Sequence, residues 1–288
     1  MTESSGRVGL VGGSGVYDFS AIEGLREERV ETPFGAPSDA YAVGRLDGVP
    51  VAFLARHGRG HRLSPSEINY RANICGFKLL GCDAILSASA VGSLKEEHAP
   101  GKAVIPDQFI DRTRRRNDTF FGGGVVAHAT FADPVCPAAA SALEAAAAEG
   151  GLSARRGGTY VCIEGPAFST RSESRLYRSW GADIIGMTNL TEARLAREAE
   201  ICYASLGLVT DYDSWRESTE PVAVEAILAI LRQNAQAARR TTRAAVRRLD
   251  AGRACGCRNA MRDAILTDRS AIGVAERERL APIVGRYL

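Results

Sequence analysis

No stretch of this chain approaches the ~18 consecutive apolar residues that a membrane-spanning helix needs, so a transmembrane protein is not expected. The opening MTESSGRVGLVGGSG lacks the charged head and apolar centre of a secretory signal, and glycines break its apolar run at once. A cytoplasmic location is therefore expected. Charge of one sign is not in excess. Lys and Arg number 36 against 34 Asp and Glu, which leaves +2 over 288 residues and no electrostatic reason to expect nucleic acid or an anionic membrane as partner. Internal repeats and low-complexity linkers are absent, and the apolar fraction of 45% excludes both a disordered and a fibrous class. Length and evenness of composition predict a single domain over 1–288, with 1–6 as a flexible start and 250–288 as its least informative part.

The seven cysteines are odd in number and scattered, and several sit inside apolar runs, where cysteine behaves as a small buried hydrophobe. Only CGC at 255–257 looks arranged. No second cysteine pair adjoins it and the last histidine is His128, so no zinc site is expected; Cys255 and Cys257 read as two free thiols in a loop. A disulfide between them would be strained by so short a loop.

What is present is alternation. RVGLV (7–11), VAFLA (51–55), DAILSASA (83–90), AVIP (103–106), TYVCI (159–163), ADIIGM (182–187) and CYASLGLV (202–209) are strand candidates rich in Val, Ile and Leu. Between them lie a helix capped by Ser66 and closed at Gly81, one opened by Pro137 and stopped by Gly150 and Gly151, and a long amphipathic helix after Pro221. Gly122 to Gly124 mark a surface loop. The pattern predicts an α/β domain with a mostly parallel, buried sheet.

Polar residues gather just past the strands: GGSG, RHG, SAVGS, Thr188, and Asp211 with Asp213. In open α/β sheets ligands bind at the carboxyl ends of strands, so these groups could meet in one cleft. GLVGGSGVYD fails the dinucleotide fingerprint, because Asp18 stands where the third glycine belongs, and it lacks the GK[ST] ending of a P-loop. Its glycines still allow backbone N–H groups near an anion, with the Ser14 hydroxyl as a further donor. Arg56 and His57 follow a strand, and a guanidinium offers a planar fork to phosphate; Arg59 and His61 read as a solvated basic loop. With Ser14, Ser89 and Thr188 at neighbouring strand ends, a phosphate site is the better reading. Alternation on a strand would point Asp211 and Asp213 into one place. No histidine or further carboxylate near them suits a metal, and two acids on one strand end cannot flank a glycosidic bond. They read equally as turn or cap residues, or as an acid for a ring nitrogen beside an acceptor for an exocyclic amine, which would suit adenine.

TPFGAPSDA (32–40), LARHGRGH (54–61), NYRANI (69–74), SAVGSL (89–94), DQFIDRT (107–113), IEGPAFSTRSES (163–174), GMT (186–188), EICYASL (200–206) and TDYDSW (210–215), with the early glycine loop, occur in one order. Together they resemble 5′-methylthioadenosine phosphorylase, over about residues 7 to 250. The CxC also resembles a feature of some archaeal members. The resemblance implies the trimeric nucleoside phosphorylase fold: one α/β domain whose twisted, mixed central sheet is partly closed into a barrel and flanked by helices. It implies phosphorolysis of 5′-methylthioadenosine to adenine and 5-methylthioribose 1-phosphate, with no cofactor, no metal, and phosphate as co-substrate.

Carried over by the same resemblance, Ser14, Arg56, His57, Ser89, the Ala90 backbone and Thr188 would hold phosphate. Met187 would lie under the ribose, Phe168 would line the purine pocket, Ser169 would sit near the base, and Gly92 and Tyr212 would be further substrate contacts. His128 would reach into a neighbouring subunit's site, which implies a homotrimer or a pair of trimers. Asp211 is the candidate acid at purine N7, with Asp213 holding the N6 amine. A 6-oxopurine enzyme would prefer asparagine at 211. Relatives acting on ordinary nucleosides place a histidine on the long helix; here Val224 and Ile227, three apart, would offer an apolar wall to a 5′-methylthio group. The alternatives are a phosphorylase of broader or 6-oxopurine specificity, a nucleosidase, and a non-catalytic oligomer that binds adenosine derivatives.

Overall fold

The computed structural model describes residues 6–13, 21–216, 224–249 and 255–288, apart from a few side chains near the start of the longest helix. In chain order these form β1 (Arg7–Gly12), β2 (Glu23–Glu28), β3 (Tyr41–Leu46), β4 (Val49–Ala55), α1 (Tyr70–Leu79), β5 (Cys82–Ser93), β6 (Ala103–Ile105), β7 (Gln108–Arg112), α2 (Pro137–Gly150), β8 (Ala154–Arg156) and β9 (Thr159–Ile163). They continue as α3 (Arg171–Ser179), β10 (Ile184–Gly186), α4 (Asn189–Glu198), β11 (Cys202–Asp211), α5 (Val224–Leu249) and α6 (Val274–Val284). All seven strand candidates are strands. β2, β3, β7 and β8 were not expected; β2 is almost wholly exposed and β8 is three residues long, so neither carries an apolar run to betray it.

The described strands make one mixed, eleven-stranded sheet in the order β2-β3-β4-β1-β5-β10-β9-β7. β11 leaves this path to pair with β5 and β6, and β8 pairs with β6. The branch occurs at β5 because this strand is longer than its neighbours. β1 accompanies it in parallel only as far as Ala88, β11 runs parallel to Ala84–Gly92, and β10 meets its far end antiparallel at Gly92 and Ser93. Parallel pairs predominate, as expected. β11 is buried along nearly its full length, which is why its sequence reads as a continuous apolar run rather than an alternation.

Helices cover the sheet. α2 opens with Pro137 and stops at Gly151 in the left-handed conformation (φ 72°), as the sequence predicts. Its last residue, Gly150, lies against Thr241 of α5, where an added Cβ would come within 2.5 Å of the hydroxyl, so glycine allows the two helices to meet. The cap of α1 is Asn69, whose side chain accepts from the Ala72 N–H, not Ser66; the Ser66 hydroxyl instead donates to Glu164, a residue distant in sequence. No described helix is long and apolar enough to cross a membrane.

The expectation for the cysteines is corrected. Cys255 and Cys257 do not stand alone in a loop: Cys136, at the start of α2, and Cys202, at the start of β11, lie beside them, with all four sulfurs within 4.8 Å of one another. Sequence separation hid this, since the fold joins three segments.

Candidate functional site

Four mutually parallel strands, β4, β1, β5 and β11, send their carboxyl ends the same way, and this is the frame of the site. Arg56 follows β4, and its backbone N–H donates to the Gly12 carbonyl at the end of β1 at 3.0 Å. Ser14, just beyond, lies outside the described residues. Ser89 and Ala90 do not follow β5, as the sequence suggests, but lie within it. They occupy the stretch where β5 has outrun β1, so Ala90 is exposed on the open side. Thr188 arrives by another route. β10 is antiparallel to β5, so the chain leaving Gly186 runs back along β5 and carries Thr188 and Asn189 toward Ser89.

Arg56 is only 1% exposed. Its Nε donates to Glu192, Nη2 donates to Ser87 at 2.6 Å and to Glu192 at 3.2 Å, and Nη1 donates to the Ala88 carbonyl at 3.2 Å. A guanidinium carries five N–H donors. The one not used among the described residues lies on Nη1. Burial alone would lower the Arg56 pKa, but the Glu192 carboxylate outweighs it and holds the group above its ordinary range, so the charge is permanent. Glu192 also accepts from Ser87 at 2.9 Å and from the Tyr203 hydroxyl at 2.8 Å. Asn189 donates to Ser87 and Tyr203 and accepts from Ser89 at 2.7 Å. Four side chains, Ser87, Asn189, Glu192 and Tyr203, thus hold the arginine and Ser89 in one fixed arrangement.

His57 donates from Nδ1 to the Leu63 carbonyl at 2.8 Å, since a carbonyl can only accept. Burial, with the Arg56 charge beside it, pushes the imidazole down to about 4. The ring is therefore neutral near pH 7 and its Nε2 is an acceptor. Thr188 is buried at the start of α4 and its hydroxyl does not cap the helix. Arg59 and His61 are solvent-exposed, as expected, although His61 stacks on His57 with ring centroids 4.2 Å apart and Arg59 pairs with Glu27 at 2.7 Å.

The two aspartates do come together, but not by strand alternation. The pairing of β11 with β5 slips between Val209 and Asp211, so Asp211 lies opposite Gly92. The strand ends there, and Asp213 sits in a turn with φ 49°, a left-handed conformation uncommon for aspartate. Asp211 accepts from the Thr210 hydroxyl at 2.7 Å and from the Asp213 N–H at 2.8 Å. A Cβ on Gly92 would stand 3.0 Å from Asp211 Oδ1 and 3.3 Å from Asp213 Cβ, so glycine here leaves room for both acids. Burial raises the Asp211 pKa, and burial with the neighbouring Asp211 charge raises Asp213 to about 6. Asp213 Oδ2 and the Ser169 hydroxyl are buried with no partner among the described residues. Ser169 is close by, since its carbonyl accepts from Ser214 at 2.7 Å.

Of the remaining expected contacts, Met187 packs against Gly165 and Phe168 is 45% exposed beside Ser169. Tyr212 turns away from the carboxylates. Its ring packs edge-on to Trp215, Arg216 lies over it, and its hydroxyl reaches the Glu96 carbonyl at 3.4 Å. His128 is exposed, with its backbone tied to Ala264. The side chains of Val224 and Ile227 lie outside the described residues. A cavity of about 320 Å³ lies elsewhere; Asp83, Glu200, Arg258 and Arg286 line it, its charges pair with one another, and no expected site residue borders it.

Sequence reasoning missed Ser87, Asn189, Glu192 and Tyr203. One signal was available: α4 opens Asn-Leu-Thr-Glu, which puts Asn189 and Glu192 three apart on one helix face, directly after a strand.

A fixed buried guanidinium with hydroxyls around it, and a pair of raised carboxylates further along the same strand frame, make this the candidate site. The phosphorylase superfamily model matches residues 7–247. An S-methyl-5′-thioadenosine phosphorylase of Geobacter sulfurreducens is 58% identical over 98% of this chain and 99% of its own length. One of Koribacter versatilis is 54% identical over 97% and 96%. Among solved structures, a methylthioadenosine phosphorylase from an Antarctic soil metagenomic library superposes with a TM-score of 0.93 at 45% identity, covering 98% of this chain and all of the other. That of Schistosoma mansoni in complex with adenine gives 0.84 at 36%, over 89% and 96%. The chain belongs to the S-methyl-5′-thioadenosine phosphorylase family.

Proposed function

We propose that this enzyme cleaves 5′-methylthioadenosine by phosphorolysis, with Asp211 donating a proton toward N7 of the departing adenine. The observation that carries the reading is the carboxyl pair beside Gly92, both members raised, with Gly92 on the same strand, β5, as the Ser89 hydroxyl and Ala90 backbone of the anion corner. Breaking the glycosidic bond leaves cationic character on the sugar and negative charge on the purine. A carboxyl whose pKa is raised holds its proton more firmly than an exposed aspartate and can neutralise that charge as it grows, so its bond strengthens in the transition state. Asp213, whose Oδ2 has no hydrogen-bond partner among the described residues, accepts from the N6 amine, and Ser169 borders the base.

Phosphate is held at Arg56, Ser89, the Ala90 N–H, Thr188 and, with them, Ser14. The permanent positive charge attracts the anion, while the neutral His57 accepts the hydrogen of a monohydrogen phosphate through Nε2 and so fixes which oxygen stays bare to attack C1′. Met187 lies under the ribose, Phe168 faces the purine, and Val224 with Ile227 covers the methylthio group. Phosphate is the co-substrate and no cofactor or metal takes part.

The assembly is a homotrimer with shared sites, His128 of each subunit reaching its neighbour. In support, His128 is exposed in the single chain and lies on a loop beside Val126 and Leu266, two apolar side chains left 50% and 63% exposed. The test is phosphate-dependent release of adenine from 5′-methylthioadenosine, run beside adenosine and inosine. Release that persists without phosphate would make the enzyme a hydrolase, and a preference for inosine would remove Asp211 as the discriminating acid.

A further inference from the structure

The four-cysteine cluster lies far from the reaction. Cys202 begins β11 and Asp211 ends it, so at ~3.3 Å per residue the sulfurs stand roughly 30 Å from the carboxylates. The reaction has no use for these thiols. Three of the four are buried among Val135, Ala139, Ala204, Val246 and Leu249 in the largest apolar cluster, and Cys255 is half-buried.

Sulfur positions decide what the cluster suits. All four atoms lie within 4.8 Å of one another, and Cys202 Sγ is 3.2 Å from Cys255 Sγ. A tetrahedral thiolate site with metal–sulfur bonds of ~2.3 Å places its sulfurs roughly 3.8 Å apart, inside that range. A disulfide would need one pair at ~2.05 Å, and all seven cysteines are free thiols. Four clustered thiols without a central ion form a poor set, because sulfur is a weak donor and a weak acceptor. Around a soft divalent cation each supplies one bond.

Backbone donors support the sulfurs as well. Cys136 is the residue before α2, and the backbone N–H groups of Ala138 and Ala139 in the first turn donate to its sulfur. Such N–H groups, at the positive end of a helix, favour a thiolate. Cys255 caps a 3₁₀ turn over Gly256–Asn259 and Cys257 lies in its first residues, so both sulfurs reach the same point from one short segment. The half-buried Cys255 gives an ion its way in.

We infer that Cys136, Cys202, Cys255 and Cys257 form a structural zinc site that clips the carboxyl-terminal segment to the starts of α2 and β11. Four protein ligands leave no open position, so the ion would hold structure and do no chemistry on substrate. The segment it clips is worth holding: α6 places Leu280, Ile283 and Val284 in the second apolar cluster.

Protein purified in reductant and without chelator is expected to carry about one zinc per chain by elemental analysis, released by a mercurial thiol reagent. Cobalt exchange should give the charge-transfer and visible bands of a tetrahedral tetrathiolate. The double variant Cys255→Ser/Cys257→Ser should lose the metal and the bands and melt more than about 5 °C lower. Its kcat/KM at 25 °C should stay within about 2-fold of the parent. If the variant does not fold, stripping the ion from the parent protein and adding zinc back should lower and then restore the melting temperature. Metal-free protein in which all four thiols titrate would overturn the inference. So would two native disulfides with no metal, iron in place of zinc, or zinc retained in the double variant. None of these outcomes depends on turnover, so failure here is distinct from failure of the proposed reaction.

Discussion

The two halves of the proposed active site, one for phosphate and one for the base, are built on opposite physical principles. In the phosphate corner nearly every polar atom is spoken for: Arg56, Ser87, Ser89, Asn189, Glu192 and Tyr203 bond one another, all of them nearly inaccessible to water. In the base corner, polar atoms are buried without partners. Asp213 Oδ2 and the Ser169 hydroxyl have none among the described residues, and Asp213 sits in a left-handed backbone conformation. The lesson concerns what each ligand brings. Phosphate is small and strongly hydrated, so its site gains by being rigid before the ion arrives. Adenine supplies its own donors and acceptors, so its site can wait unsatisfied at a cost to stability that the bound base removes.

This contrast can be broken at four points. The largest effect is expected for Asp211→Asn, which should fold normally and lose ~10²–10⁴-fold in kcat with a smaller change in KM. Wild-type turnover by that variant would show that the proton comes from elsewhere. Next, Glu192→Gln leaves a fully buried arginine without its counter-charge. Removing one member of a buried pair costs about 3–5 kcal/mol, so chemical denaturation should show a loss of that order and phosphate KM should rise while the KM for nucleoside moves little.

Asp213→Asn should act the other way on stability. An aspartate held at about 6 in the folded protein, against 3.8 unfolded, binds its proton more tightly when folded. Its contribution therefore worsens as pH rises from roughly 4 to 6, and by pH 7 amounts to about 3 kcal/mol of lost stability. The asparagine variant should be more stable than the parent above pH 6, equal to it below pH 4, and weaker in adenine binding. A stability gain that is the same at every pH would refute the titration argument. Smallest is Ser169→Ala, which removes a buried hydroxyl without a partner and should stabilise by up to about 1 kcal/mol while slightly weakening substrate binding. Thermal melts with and without adenine would measure both.

Strand runs and most caps were readable because they are local. RVGLV and CYASLGLV announce buried parallel strands, and Pro137 and Gly151 announce the ends of α2. Candidate residues of the proposed site could be picked out where a polar group interrupts an apolar run near a strand end, as with Arg56, Thr188 and Asp211. Ser87 and Tyr203 were not, because a polar residue inside a buried strand looks the same whether it is idle or holds an arginine. Ser66 shows the reverse error: a serine well placed to cap α1 is drawn off by Glu164, and Asn69 does the capping.

Taken alone, the order of residues determined which segments would be strands and helices, that the sheet would be buried and largely parallel, and which side chains could carry chemistry. Those properties follow from propensity and periodicity, which act over a few residues. Only the tertiary structure decided that Asn189 would meet Ser89 through an antiparallel turn of the sheet, that Glu192 would sit 136 positions away on Arg56, and that four scattered cysteines would share one point. These depend on strand order and register, which long-range burial selects and no local pattern encodes.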